Sequence, residues 1–347
     1  WAAALIVPAI LFFFLLANLP GTEGRPTVWF GWWGSPWLWD SILVLALVIT
    51  GYAFLYVSSL PDFAVARDQV ERGTAGRFTR LARDWFGTEQ QWRVVERAVG
   101  LLGAFYIILF VGTMTVIAAD FIMSLVPGYK SAIFPAYFVV SSFEGGIALT
   151  IVTAAALRRW GHGIYLEQEQ FFALGKLQLA LGLLWFYFIW TDFIIPWYGR
   201  MPQEINLLKF LYFDTYIWAF IPAFVLNFMG PLLILMWTRV RKSIVGPTIA
   251  ASGVLIGLLA DRIRLFSASF SPTDITQHAL AEVPPVYTPG VLDILILVGG
   301  IAGALAIILF TLRLVPYPSV WEVTAGLRLR ARKRYHHTEV VIIGKPE

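Results

Sequence analysis

The residues of this 347-residue chain that can do chemistry are ionisable side chains set in otherwise apolar stretches. Asp40 follows Trp37-Leu-Trp39, Asp120 closes a long apolar run, and Asp192 sits in Trp190-Thr-Asp192-Phe-Ile. Asp214, the adjacent Asp261 and Arg262, and Asp293 complete the set. A charge at the centre of a membrane span costs at least about 2.5–3.5 kcal/mol, so such residues usually face a cavity or a partner. Any one of these acids also reads as a solvated interfacial cap. Together they are proton acceptors, provided partial burial and mutual repulsion hold them near working pH. Arg262, permanently charged, can hold a neighbouring carboxylate ionised or donate to a carbonyl oxygen. Two charges lie deeper: Glu144 in Ser-Phe-Glu-Gly-Gly and Lys176 in Leu-Gly-Lys-Leu. They read either as a buried ion pair that fixes packing or as steps of a proton path, to which Thr150, Thr153 and Tyr187 are available at similar depth. Asp214 and Asp293 extend the candidate path.

Other chemistry is excluded by composition. The chain has no cysteine, so it forms no disulfide and holds no iron–sulfur cluster on its own thiolates. His162, His278, His336 and His337 all fall in expected loops or the tail, whereas a b-type haem in a bundle needs imidazoles on facing spans. No His/Glu cluster has ligand spacing, so no metal site is expected. Neither a glycine-rich phosphate loop nor a nucleophile elbow is present.

The elements that must position these residues are membrane helices. Hydrophobic residues make up 58% of the chain and charged ones 14%, with a mean hydropathy of +0.71. Soluble domains carry roughly 25% charged residues. Apolar runs of about 20 residues, enough to cross a bilayer core, predict an all-α polytopic bundle of about eight spans. The runs are Trp1–Leu19, Trp37–Leu60, Val99–Leu125, Ser131–Leu157, Phe171–Ile195, Leu207–Thr238, Ser243–Leu265 and Pro289–Val315. Trp1 already lies inside an apolar stretch, so further residues are expected before it. Fifteen Trp and thirteen Tyr suit interfacial belts.

Basic loops alternate with cation-poor ones. Pro61–Arg97 carries seven Arg, Arg158-Arg159 and Arg239–Lys242 follow two further spans, and the tail holds Arg328, Arg330, Arg332, Lys333 and Arg334. The intervening loops offer Arg25, Lys130 and Arg200, and then no cation between Arg264 and Pro289. The positive-inside rule then places residues 61–97 and the 317–347 tail in the cytoplasm, as parts appended to a 1–316 bundle, and the six Asp near the opposite face. The 61–97 segment is expected to form an interfacial amphipathic helix pair. A pI of about 9.3 is read as topology and anionic lipid rather than nucleic acid.

Several ordered segments resemble the NrfD/PsrC family of haem-free, quinone-handling membrane subunits, between about Pro36 and Glu322. They are Ser35-Pro-Trp-Leu-Trp-Asp40, Leu60-Pro-Asp-Phe-Ala-Val-Ala-Arg-Asp68, Asp120-Phe-Ile-Met-Ser-Leu-Val-Pro-Gly128 and Ile133-Phe-Pro-Ala-Tyr137, followed by Leu174-Gly-Lys-Leu177, Trp197-Tyr-Gly-Arg-Met-Pro-Gln-Glu204, Asp261-Arg262 and Tyr287-Thr-Pro-Gly-Val-Leu-Asp293. The chain looks most like the large membrane subunits of alternative complex III. The resemblance implies a menaquinone or ubiquinone pocket near the outer face of a bacterial inner membrane. It also implies an iron–sulfur subunit that takes the electrons, a multihaem cytochrome c subunit and a second NrfD-like subunit. Asp40, Asp120 and Arg262 match pocket positions, with Asp261 beside them. Trp37, Trp39, Trp197 and Asp192 are expected to line the pocket. Relatives that oxidise quinol carry a histidine in the region matching Asn18–Arg25; this chain has none. Its Leu-Gly-Lys and Met-Pro-Gln-Glu segments look more like the second, non-oxidising paralogue. A secondary transporter or proton channel using the same acids, and a structural anchor for a peripheral complex, are the rival readings.

Overall fold

The computed structural model describes residues 5–17, 35–69, 75–162, 166–273, 277–314, 332–335 and 338–341. The chain is an all-α, multi-pass membrane helix bundle. Its helices are α1 Ile6–Ala17, α2 Pro36–Gln69, α3 Ala75–Ala82, α4 Glu89–Phe121, α5 Phe134–Leu157 and α6 Gln168–Gly199. There follow α7 Pro202–Leu208, α8 Ile217–Phe224, α9 Gly230–Leu235, α10 Thr238–Arg241, α11 Val245–Phe270 and α12 Val291–Leu314. Among the described residues, six helical stretches are long and apolar enough to cross a membrane: Pro36–Asp68, Glu89–Leu125, Phe134–Gly161, Gln168–Gly199, Ile217–Leu235 and Val291–Phe310.

Of the eight spans expected, the first falls largely outside the described residues, which include only the 12-residue α1. The expected seventh coincides with the 26-residue α11, which is not one of these six. The sixth is shorter than expected. Leu207–Tyr216 forms the end of α7 and a separate π turn, and the span begins at Ile217.

The chain divides into two compact units. In one (residues 1–14, 44–109 and 295–347), Pro61 does not end the second span. Its ring removes one backbone N–H, yet α2 runs on to Gln69, 34 residues in all. At 1.5 Å per residue that is about 51 Å, well beyond a hydrocarbon core of about 30 Å. Within the expected amphipathic segment, α2 and α4 extend as helices and the short amphipathic α3 lies between them in sequence. Ala64, Ala82, Trp85 and Val95 form a small core there, with Trp85 and Trp92 edge to face at 5.2 Å. In the basic tail, Arg332–Tyr335 and Thr338–Val341 pair as antiparallel strands.

The second unit (residues 15–43 and 110–294) is built on three interlocking stripes. On α5 the buried positions include Phe134, Tyr137, Ser141, Glu144, Ala148 and Ile151. On α6 they are Phe171, Gly175, Gln178, Gly182, Trp185, Ile189 and Asp192. On α11 they include Ala250, Val254, Gly257, Asp261, Arg264 and Ala268. Each series steps by three and four, which is one face of a helix. Polar residues thus sit on the faces turned inward, where each one needs a partner.

Between α8 and α9, Pro231 has no N–H to offer the Asn227 carbonyl four residues back. The backbone widens into a π turn, Val225–Met229, in which Gly230 donates to the Val225 carbonyl. Gly257 of α11 admits this wider turn, because a Cβ there would lie 2.8 Å from Leu226 Cβ. A second π turn, Lys209–Phe213, follows α7.

Candidate functional site

Tyr137, the fourth residue of α5, donates to Asp261 Oδ2 at 2.5 Å. Three residues along α11, Arg264 grips the other carboxylate oxygen, with Nη2 at 2.7 Å and Nε at 3.3 Å from Oδ1. Its Nη1 donates to the Leu211 carbonyl, in the π turn, at 3.2 Å. Asp261 and Arg264 are 0% and 1% exposed, so this is a buried ion pair with both partners hydrogen-bonded. Arg262, the next residue on α11, turns towards α5. Its Nη2 donates to Ser141 Oγ at 2.5 Å and to Ser142 Oγ at 3.3 Å, and its guanidinium lies 3.8 Å above the Phe138 ring. Nη1 lies 3.8 Å from Asp261 Oδ2, beyond hydrogen-bonding distance, and makes no hydrogen bond. Arg262 keeps 22% of its side chain exposed. It is a cation held firmly at one nitrogen, while the other is buried with its donor capacity unused.

Asp192 forms a second node, where α6 nears its end. Ser131 donates to it at 2.5 Å, Tyr212 at 3.0 Å and Tyr129 at 3.5 Å. Burial, then the adjacent Asp192 carboxylate, raises both tyrosine hydroxyls well above their ordinary range, so they remain protonated donors. Asp40 and Asp120 form a third node. Asp40 is fully buried and Asp120 half-buried, and the two carboxyl groups are neighbours. These nodes share one end of the bundle. Ala118 and Ile122 of α4, Phe138 of α5, Ile189 of α6 and Leu265 of α11 belong to a single core.

Glu144 lies seven residues beyond Tyr137 on α5, about 10 Å along the helix axis. It is fully buried. Its partner is Gln178, whose Nε2 donates to Oε1 at 3.4 Å, and not Lys176. The expected Glu144–Lys176 pair is absent for a geometric reason: residues two apart on a helix point to nearly opposite sides. Gln178 is on the inward stripe of α6; Lys176 is exposed, its ammonium 4.7 Å from the Phe172 ring. Around Glu144, its Oε2, Gln178 Oε1 and both side-chain polar atoms of buried Asn227 lack hydrogen-bond partners. A Cβ at Gly182 would lie 3.3 Å from Glu144 Oε1 and 3.1 Å from the Asn227 carbonyl oxygen, so both oxygens face that glycine.

The remaining candidates are elsewhere. Asp214 is exposed after the second π turn. Asp293 accepts from Gly290 N and Tyr287 Oη, each at 2.9 Å, which makes it a cap on the first turn of α12 rather than a buried relay. Trp37 is buried, whereas Trp39 (63% exposed) and Trp197 (47%) face outward, Trp197 stacked on Phe193 at 5.5 Å. Thr150 hydrogen-bonds the Gly146 carbonyl of its own helix, and Thr153 and Tyr187 are exposed, so none of the three extends the Glu144 cluster.

Sequence reading missed Tyr137, Ser141, Gln178, Tyr212, Asn227 and Arg264. For Tyr137, Ser141, Gln178 and Arg264 the signal was available: each falls on a three-four stripe together with an acid. No family model matches the chain, and no curated protein matches it.

Proposed function

We propose that this chain is a haem-free, quinol-binding and quinol-oxidising subunit of a multisubunit electron-transfer complex of the alternative complex III kind. It lies in a bacterial inner membrane with its C-terminus cytoplasmic and its acid-rich end towards the other side. The observation that carries the reading is Arg262: a cation locked by Ser141, Ser142 and Phe138, with 22% of its side chain exposed and a buried Nη1 that has no hydrogen-bond acceptor. A quinone ring asks of its site an apolar slot, a donor for a carbonyl oxygen and acceptors for hydroxyl protons. Arg262 fits the donor role, and the neighbouring Asp40 and Asp120 carboxylates fit the acceptor role.

Oxidation of a quinol releases two protons and two electrons. Arg262 orients the oxygen; the Asp40–Asp120 pair takes up protons and passes them to water at that end. The electrons leave for a partner iron–sulfur subunit and onward to a multihaem cytochrome c. The Glu144, Gln178 and Asn227 cluster supplies the membrane-buried step of a proton path. Four unpartnered polar atoms are enough to hold internal water, which typically makes about three hydrogen bonds, and a Glu in such water can load and release a proton.

The test counts protons per electron during quinol oxidation by the assembled complex, in wild type and Glu144→Gln. The isostere should assemble and oxidise quinol while translocating fewer protons per electron. An unchanged ratio removes Glu144 from the path. Absence of quinol oxidation by the wild-type complex removes the quinol reading itself.

A further inference from the structure

At the end of the second unit opposite the acids, three cations meet around one aromatic ring. Lys176 of α6 lies 4.7 Å from the Phe172 centroid, Arg241 of α10 5.6 Å and Lys242 5.9 Å. Lys176 precedes Asp192 by sixteen residues on α6, about 24 Å along the axis. That span places it near the far membrane interface.

The arrangement is built rather than incidental. Arg241 is held by a hydrogen bond from Nη1 to the Leu235 carbonyl at 3.0 Å, while its Nε is buried with no partner. Gln168 of α6 donates to the Lys242 carbonyl, tying the α10–α11 link to α6. Gly175 lets that link approach, since a Cβ there would lie 3.2 Å from Pro247 and 3.5 Å from Arg241 Cγ. Among the described residues no carboxylate pairs with any of the three. Cation–π attraction to a single ring is worth about 0.5–1 kcal/mol at exposed sites. It does not offset the repulsion of three like charges, so the cluster calls for an anion.

The surroundings say which anion. Next to Lys176, α6 exposes Leu177, Ala180, Leu183 and Leu184, and beside Arg241 the chain exposes Leu233, Met236 and Trp237. These are lipid-facing apolar surfaces, with an interfacial tryptophan where the charges begin. We propose that Lys176, Arg241 and Lys242 bind the phosphate of an anionic phospholipid, whose acyl chains lie along the exposed face of α6.

The experiment uses the purified full chain. Native mass spectrometry counts retained phospholipid in wild type, Lys176→Gln and the triple variant K176Q/R241Q/K242Q. Thermal unfolding is compared in phosphatidylcholine vesicles with and without phosphatidylglycerol, and in phosphatidylcholine with inorganic phosphate. Wild type should retain anionic phospholipid and gain stability from phosphatidylglycerol but not from phosphate. Each neutralised charge should lower retention about fivefold, the equivalent of about 1 kcal/mol near a membrane surface. Lys176 is exposed, so Lys176→Gln reports even where the triple variant fails to fold. Equal retention by wild type and Lys176→Gln overturns the proposal, as does a wild type that carries no anionic lipid and therefore reserves the cluster for an acidic protein segment. Stabilisation by free phosphate equal to that by phosphatidylglycerol overturns the lipid as its source.

Discussion

Replacing Asp261 by asparagine is expected to destabilise the protein by about 3–5 kcal/mol, the usual cost of removing one partner of a buried ion pair. The asparagine can still accept the Tyr137 hydroxyl, so the loss is electrostatic. Arg264, 1% exposed, would keep its charge with only the Leu211 carbonyl and the faces of Tyr212 and Phe220 around it. A second substitution tests the cause. Arg264→Met removes the stranded charge, and a buried pair replaced by apolar groups is often neutral, so D261N/R264M should recover most of the stability lost by D261N alone. Thermal unfolding of the purified chain in lipid, with the two single variants and the double, gives the coupling directly. Additive losses would show that Asp261 and Arg264 do not act as a pair.

Arg262→Gln is expected to spare stability and abolish efficient quinol turnover. The arginine is partly exposed, and its serine partners keep other bonds, Ser141 and Ser142 both donating to the Phe138 carbonyl at 2.8 Å. What the substitution removes is a charged donor. Hydrogen bonds to charged groups contribute about 1.5–3 kcal/mol, so kcat/KM for quinol should fall roughly ten- to hundredfold. Arg262→Lys should be nearly as poor, because an ammonium cannot hold Ser141 with one donor while presenting a second in a fixed plane. Steady-state kinetics of the assembled complex, with assembly checked by size, decide the matter. Wild-type kinetics in Arg262→Gln would leave the arginine a packing role only.

These expectations separate what was readable in the sequence from what was not. Runs of apolar residues locate the membrane helices, because the bilayer imposes a length that composition alone reveals. The outward-to-inward phase of each helix was also legible. On α6, Gly175, Gly182 and Asp192 share a face with Gln178, and counting in threes and fours from Asp192 reaches Gln178, never Lys176. Depth alone suggested the Glu144–Lys176 pair; phase contradicts it. Pro61 misled in the other direction. One missing N–H reads as a helix end, but α2 continues through it with Ala64 packed into a local core beside Ala82 and Trp85. The π turn Lys209–Phe213 was not legible at all, and for Val225–Met229 only Pro231 gave a sign. An extra residue per turn shifts every side chain after it by about 100°, and it is this shift that accompanies the inward placement of Tyr212 and Asn227.

The account rests on quinone at the acid-rich end of α5 and α11, beside Arg262. Photoaffinity labelling tests this most directly: an azidoquinone, crosslinked to the protein in native lipid and mapped by peptide mass spectrometry. The account predicts labelling within Phe134–Ser142 and Gly257–Leu265, competed by excess unlabelled quinone and strongly reduced in Arg262→Gln. Labelling that quinone does not compete, or that falls only on exposed α12 and is indifferent to Arg262, would contradict it.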